Sequence, residues 1–322
     1  MIFKLTSPLK GKKVLITGGC GFLGSHLAKR LLSMGSKVFI MKREESNPWR
    51  LKEYINSINF YTADVSNPPQ VDKCLKTIEP EYIFHLASYG VDSSQKDYLK
   101  AANINILGIV NVFNSLKYVD CRKVINIGSS AEYGNVNEKI TETFCPKPAS
   151  IYGSTKACAT LLCHQLAMEN DISAVTLRPF GIFGEGEEPH KLFSYIILSI
   201  LKGEAVHLTS CGQYRDYCYI ENIIDAMILC AEDKDVNNQI FNVGTGTSKP
   251  LSHYVDLIFN LMGTSMIPNY GSIAYRKNEM WDPCPDISKI KNVTGWTPKI
   301  NLEEGLKKTI AWYKENLNYF PI

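Results

Sequence analysis

Residues 14–41 read VLITGGCGFLGSHLAKRLLSMGSKVFIM. A β-type run, a cluster of glycines and an amphipathic stretch follow one another, and a second β-type run closes the unit. Gly19, Gly21 and Gly24 satisfy G-x-G-x-x-G, and Gly18, Gly21 and Gly24 satisfy G-x-x-G-x-x-G. Glycine permits a tight turn and lets backbone N–H groups approach a pyrophosphate at a helix N-terminus. The strand–turn–helix setting, more than the glycines themselves, makes the stretch read as a dinucleotide cradle.

The same alternation continues outward from this unit. KVLIT (13–17), KVFIM (37–41), INFYT (58–62), EYIFHLA (81–87), KVINIGS (123–129) and SAVTLRP (173–179) read as strands. Between them lie amphipathic segments such as FLGSHLAKRLLSMG (22–35) and NINILGIVNVFNSLK (103–117). Strands without polar alternation, separated by helices, indicate a parallel sheet covered on both faces. The expected fold is α/β, a Rossmann-type doubly wound parallel sheet with a smaller mixed α/β C-terminal lobe. After RPFGIFGEGEEP (178–189) Gly and Pro thicken and the element signals shorten. This places a nucleotide-binding domain at 1–178 and a substrate lobe at 179–322. A helix and strand at about 217–246 return to the sheet.

The bulk properties exclude several classes. Of 322 residues, 45% are apolar and 21% charged, ordinary for a globular protein. A net charge of +3 with no basic block argues against a nucleic-acid partner. Ten cysteines are scattered with no CxxC pair and no metal-ligand spacing, which suits reduced thiols. The six histidines form no metal-like cluster, so no metal is assigned and His85 is read as strand core. MIFKLTSPLKGKK lacks the apolar core of a signal peptide. The longest apolar run, LFSYIILSIL (192–201), is far short of the about 20 residues of a membrane span. A buried helix and a cytoplasmic protein without membrane contact are expected.

Two further stretches carry chemistry. INIGSSAEYG (125–134) ends a strand in a serine cluster, and IYGSTKACATLL (151–162) opens a helix with Tyr152 and Lys156 one turn apart. A phenol, with a pKa near 10, is a poor base at neutral pH. A neighbouring ammonium, together with a positive nicotinamide ring, favours the phenolate. At the tip of the second strand stand Lys42 and Arg43, where an acid would bind the ribose of NAD and basic groups the 2′-phosphate of NADP. They favour NADP, while Glu44 and Glu45 follow at once and offer the NAD alternative. A solvated loop is the plainer reading of the same residues. Asp64, after the third strand, is a candidate adenine contact or an exposed loop-end acid.

Together these motifs resemble the extended short-chain dehydrogenase/reductase family of nucleotide-sugar enzymes. The resemblance spans nearly the whole chain, through HLAS (85–88), NILG (105–108), RPFGIFGEG (178–186), YRDYCYIEN (214–222), FNVGTG (241–246) and GWTP (295–298). It implies a cofactor site of Gly18, Gly21, Phe22, Leu23, Gly24, Lys42, Arg43, Asp64, Val65, Leu86, Ala87, Ser88 and Asn105, with Tyr152 and Lys156. Tyr152 becomes the proton donor or acceptor, Lys156 its electrostatic partner and Ser129 the hydroxyl that orients the substrate oxygen. Ser130 is the rival for that last role. Arg215 and Arg276 match the family's diphosphate-binding arginines, whose geometry suits paired phosphate oxygens; a structural salt bridge is the alternative for each. Tyr89 is either a substrate contact or core. The partners implied are a nucleotide-sugar substrate and a second copy of the chain.

The family includes 4,6-dehydratases, 4-epimerases, decarboxylases and 4-keto reductases. Dehydratases carry carboxyl groups just after the motif's Ser/Thr, and here Ser130 and Ala131 stand there, with Glu132 one step late. Dehydration is therefore discounted. GSSAEYG, and an Arg276-Lys-Asn278-Glu279-Met280 stretch, resemble reductases of 4-keto-6-deoxyhexoses, the CDP-abequose and CDP-paratose synthase branch. Gly181 replaces the family's usual Asn after RPF. The leading expectation is an NADPH-dependent reductase of a nucleotide-linked 4-keto-6-deoxyhexose. The alternative is an NAD-dependent nucleotide-sugar 4-epimerase.

Overall fold

The computed structural model describes residues 7–320 except 93, 137 and 276–278. Seven strands form one sheet: β1 (Lys13–Thr17), β2 (Lys37–Lys42), β3 (Asn59–Thr62), β4 (Tyr82–His85), β5 (Lys123–Ile127), β6 (Ser173–Pro179) and β7 (Gln239–Val243). Their order is β7-β6-β5-β4-β1-β2-β3, and every neighbouring pair is parallel. The chain thus winds outward from β1 in both directions. The crevice of such a sheet opens where the direction reverses, between β1 and β4.

Strand residues divide by parity between two apolar layers, as the period-2 pleat demands. Val14, Ile16, Phe84, Ile125 and Val175 face one layer, and Leu15, Ile83, Val124 and Ala174 the other. The first layer is closed by α1 (Phe22–Ser33) and α6 (Ile220–Glu232), through Leu27, Leu31, Ile223 and Met227. The second is closed by α2 (Pro68–Ile78), α3 and α4 (Ile151–Glu169). The α3 helix runs through Tyr98–Ala102, a π-helical turn at Asn103–Leu107, and Gly108–Leu116. It begins five residues before the predicted start, where Asp97 caps it by accepting from the Lys100 N–H. Leu192–Lys202 forms the buried helix α5. Beyond β6, β7 apart, the described strands are two or three residues long, as in the parallel pairing of Gly181–Phe183 with Tyr217–Tyr219.

The β1–α1 turn approaches β4 so closely that side chains have no room. Gly18 has φ +69°, and a Cβ there would lie 2.8 Å from the Ala87 nitrogen. A Cβ on Gly24 would lie 2.4 Å from the Gly18 carbonyl oxygen and 2.7 Å from the Gly19 Cα. Both obstacles are backbone and cannot swing aside. Gly24→Ala should therefore cost about 1–3 kcal/mol from overpacking and weaken dinucleotide binding more than tenfold. Thermal unfolding with and without the dinucleotide checks both effects.

Candidate active site

The β1 and β4 tips are stitched together by one buried hydroxyl. Thr17 Oγ1 accepts from the Leu86 and Ala87 N–H groups, each at 3.1 Å, and is 3.0 Å from His85 Nδ1. Burial, with the charge of Lys156, depresses the His85 pKa to about 3, so this ring stays neutral strand core. Above the stitch opens a cleft of about 780 Å³. The α1 N-terminus faces it, with Gly21 as a cap that offers no side chain. The first-turn N–H groups are left for an anionic ligand.

Of the cofactor residues expected from the sequence, Gly18, Gly21, Phe22, Leu23, Gly24, Lys42, Arg43, Asp64, Val65, Leu86, Ala87 and Ser88 all line this cleft. So do Tyr89, Ser129, Tyr152 and Lys156. Arg43 pairs with Glu45 at 3.0 Å, and the Asp64 carboxylate accepts from Ser66 N and Oγ. Asn105 stands behind the wall. It is 2% exposed, donates to the Tyr89 carbonyl and Thr155 Oγ1, and accepts from the Tyr89 N–H. Its amide is spent on bracing the 88–90 loop against α4. Ser130 and Arg215 do not line the cleft. Arg215 gives its guanidinium to the Glu279 carboxylate and to the Tyr214 and Met280 carbonyls. Arg276 and Asn278 lie outside the described residues.

Ser129 and Tyr152 meet because a helix and a turn dock with nothing between them. Ser150 caps α4 by accepting from the Gly153 N–H at 3.1 Å. A Cβ on Gly153 would lie 2.3 Å from the Ala131 carbonyl oxygen, so the helix can seat against the serine turn only with glycine there. The Tyr152 hydroxyl then faces the hydroxyls of Ser129 and Ser88, which favour its phenolate. Burial dominates, however, and leaves its pKa raised. Lys156, 3% exposed, has its pKa depressed to about 8 by burial, opposed by the charge of Glu132. Ser88 Oγ is buried with no well-formed hydrogen bond among the described residues. Its contact with Tyr152 is electrostatic rather than a bond of good geometry.

Glu132 has a role that its position in the sequence hides. It is fully buried, and burial raises its pKa against the opposing charge of Arg178. One carboxylate oxygen accepts from the Ser129 N–H at 2.8 Å and from Thr160 Oγ1 at 3.1 Å. The other accepts from Arg178 Nε at 2.8 Å. Arg178 also donates to the Tyr133 hydroxyl at 2.8 Å, and that hydroxyl donates to Asn242 Oδ1 at 2.7 Å. The acid that stands one step late for dehydration is thus the internal brace of the serine turn. The local sequence around Glu132 carries no signal for this, since the partner lies 46 residues away.

The residues fit a nicotinamide dinucleotide on two counts: a cradle at Gly18 and Gly24 that a Cβ would fill, and a helix N-terminus without a side-chain cap. Among the described residues, no group of three His, Cys, Asp or Glu is arranged to hold a metal ion. All ten cysteines are free, and among the described residues no helix is long and apolar enough to cross a membrane.

Comparison with known proteins gives the family. The family model of the NAD dependent epimerase/dehydratase family matches residues 14–244. The chain is 27% identical to UDP-glucuronate 4-epimerase of Thermodesulfobacterium geofontis, over 94% of this chain and 96% of that one. Among solved structures, UDP-glucose 4-epimerase of Thermotoga maritima with UDP-glucose superposes at a TM-score of 0.88, with 28% identity and 95% and 99% coverage. UDP-glucuronic acid 4-epimerase of Bacillus cereus with UDP-glucuronic acid and NAD superposes at 0.84, with 25% identity and 94% and 99% coverage. The chain belongs to the NAD dependent epimerase/dehydratase family, the extended short-chain dehydrogenase/reductases, and is an oxidoreductase-type enzyme of nucleotide sugars. These relatives do not support the abequose/paratose reductase branch.

Removal of the brace gives a direct check. Glu132→Ala leaves the Arg178 guanidinium buried and unpaired, which should cost about 3–5 kcal/mol. Urea unfolding measures it, and an unchanged midpoint would mean the pair carries no structural load.

Proposed function

We propose that the chain is an NAD-dependent nucleotide-sugar 4-epimerase. The observation that carries this reading is the division of labour around the substrate oxygen. Ser129, Tyr152 and Lys156 handle one proton on one oxygen, while the nearest acid, Glu132, is spent on Ser129, Thr160 and Arg178. The acid that follows Ser129 in the turn is therefore not available for eliminating water. The activities of the similar 4-epimerases support the same reading, and their ligands make UDP the nucleotide to try first.

NAD, when bound, supplies the hydride acceptor and donor. The chain's own groups do the rest. Tyr152 takes the proton from the sugar hydroxyl and returns it. Ser129 holds the same oxygen by hydrogen bond. Lys156, as the cation, favours the Tyr152 phenolate against the burial that opposes it. Residues 179–322, apart from the helix and strand that return to the sheet, form the substrate lobe. There Arg215 exchanges the Glu279 carboxylate for the substrate's diphosphate.

A second reading, an NADPH-dependent 4-keto-6-deoxyhexose reductase, rests on Lys42 and Arg43 at the adenosine end of the cleft. The dinucleotide that copurifies distinguishes them. The epimerase reading expects tightly held NAD, identified by mass spectrometry; a protein free of dinucleotide that oxidises added NADPH with a 4-keto sugar favours the reductase. In either case Tyr152→Phe should lower kcat about 10²–10⁴-fold, and full turnover in that variant would exclude the proton-transfer role. As pH rises through about 8, Lys156 loses its charge. The kcat/KM profile should therefore fall on its alkaline side near that pH, and Lys156→Met should remove that limb. Leu99, Leu107, Leu161 and Met168 are exposed on α3 and α4, a face suited to a second copy of the chain. Leu161→Glu should shift a dimer toward monomer in sedimentation velocity.

A further inference from the structure

Two serine hydroxyls stand beside the Tyr152 hydroxyl, Ser129 from the serine turn and Ser88 from the loop after β4. Ser129 Oγ already accepts from the Ala131 N–H at 3.1 Å, as the cap of its turn. A serine hydroxyl has a single proton to give. If Ser129 gives it to the substrate oxygen, a Tyr152 phenolate must find another donor.

The backbone around Ser88 is pinned on both sides. Ahead of it, Thr17 Oγ1 holds the Leu86 and Ala87 N–H groups, each at 3.1 Å. Behind it, Asn105 grips Tyr89 at both the N–H and the carbonyl, each at 2.8 Å. The same Asn105 amide donates to Thr155 Oγ1 at 2.8 Å, and Thr155 Oγ1 donates to the Tyr152 carbonyl at 2.9 Å. Two side chains thus tie the Ser88 loop to the turn of α4 that carries Tyr152. Gly90 allows the close approach: its φ is +94°, and a Cβ there would lie 3.5 Å from the Tyr152 Cβ and 3.6 Å from Cδ2.

The Ser88 side chain ends in the cleft, its Oγ buried with no well-formed hydrogen bond among the described residues. A buried hydroxyl is normally matched by a partner. A neutral phenol is a weak match and a phenolate a strong one, since hydrogen bonds to an ionised group are roughly twice as strong as neutral ones. Catalytic hydrogen bonds also tighten when the charge they serve develops. Burial and the charge of Glu132 both oppose the phenolate, so each donor matters.

We propose that Ser88 is a positioning residue for proton transfer, its hydroxyl donating to the Tyr152 phenolate while Ser129 serves the substrate oxygen. The proposal rests on the reading of Tyr152 as the acid–base group and holds for epimerase and reductase alike. Ser88 keeps its own proton throughout. Its hydroxyl accepts from the neutral phenol and turns to donate to the phenolate, so the proton that Tyr152 exchanges is that of the sugar hydroxyl.

The test follows the ionisation of Tyr152 directly. Protein labelled with ¹³C at the tyrosine Cζ is saturated with NAD and titrated by NMR, and Tyr152→Phe identifies the resonance. In Ser88→Ala the Tyr152 ionisation should move up by about one pH unit, a tenfold change in its constant. Thermal stability should not fall, because the hydroxyl removed had no partner. Unchanged ionisation in Ser88→Ala overturns the proposal and leaves the acid–base reading of Tyr152 standing. A loss of stability without a change in ionisation marks a structural serine and overturns it equally. A wild-type Tyr152 that stays protonated to pH 11, or full turnover in Tyr152→Phe, removes the acid–base reading and the role of Ser88 with it.

Discussion

The buried ion pair between Glu132 and Arg178 is the constraint on which the site depends. Two charges taken from water are stable only when every lone pair and proton finds a partner. Here partners come from the turn after β5, from β7 and from α4: the Ser129 N–H, the Tyr133 and Thr160 hydroxyls and, through Tyr133, the Asn242 side chain. Satisfying the pair therefore sets the height and orientation of the turn that carries the Ser129 hydroxyl. Gly153 seats α4 on that turn, which brings Tyr152 to the same point.

That arrangement places the charged forms of Tyr152 and Lys156, the pair proposed for proton transfer, at odds with their surroundings. Burial raises one pKa and lowers the other, and both shifts oppose the charged forms that proton transfer uses. The Ser129 and Ser88 hydroxyls offset part of the burden on Tyr152, and Glu132 offsets part of that on Lys156. A positively charged ring over the cleft would supply the remainder, so the proton-transfer state belongs to the cofactor-loaded protein.

Much of this was legible from residue order, for identifiable reasons. Strand runs such as VLI at 14–16 are buried on both faces, so hydrophobicity alone marks them, and the Gly18–Gly24 spacing records a local turn. Tyr152, Lys156 and Ser129 lie in short motifs whose geometry is set within one turn of chain. The unread parts depend on contacts across the sequence. Glu132 looked like a misplaced acid because Arg178 is supplied by another strand. Asn105 read as a cofactor contact, yet its amide is used by Tyr89 and Thr155. The partner of Arg215, Glu279, lies 64 residues away and could not be read from residue order.

The account stands most directly on what happens to the C4 configuration. Purified protein, with only the dinucleotide it retains, is incubated with UDP-glucose and the sugar is followed by NMR. The account predicts that the C4 epimer appears and approaches equilibrium with no net consumption of NADH or NADPH. Stoichiometric oxidation of added NADPH with a 4-keto sugar, and no epimer in its absence, would contradict it.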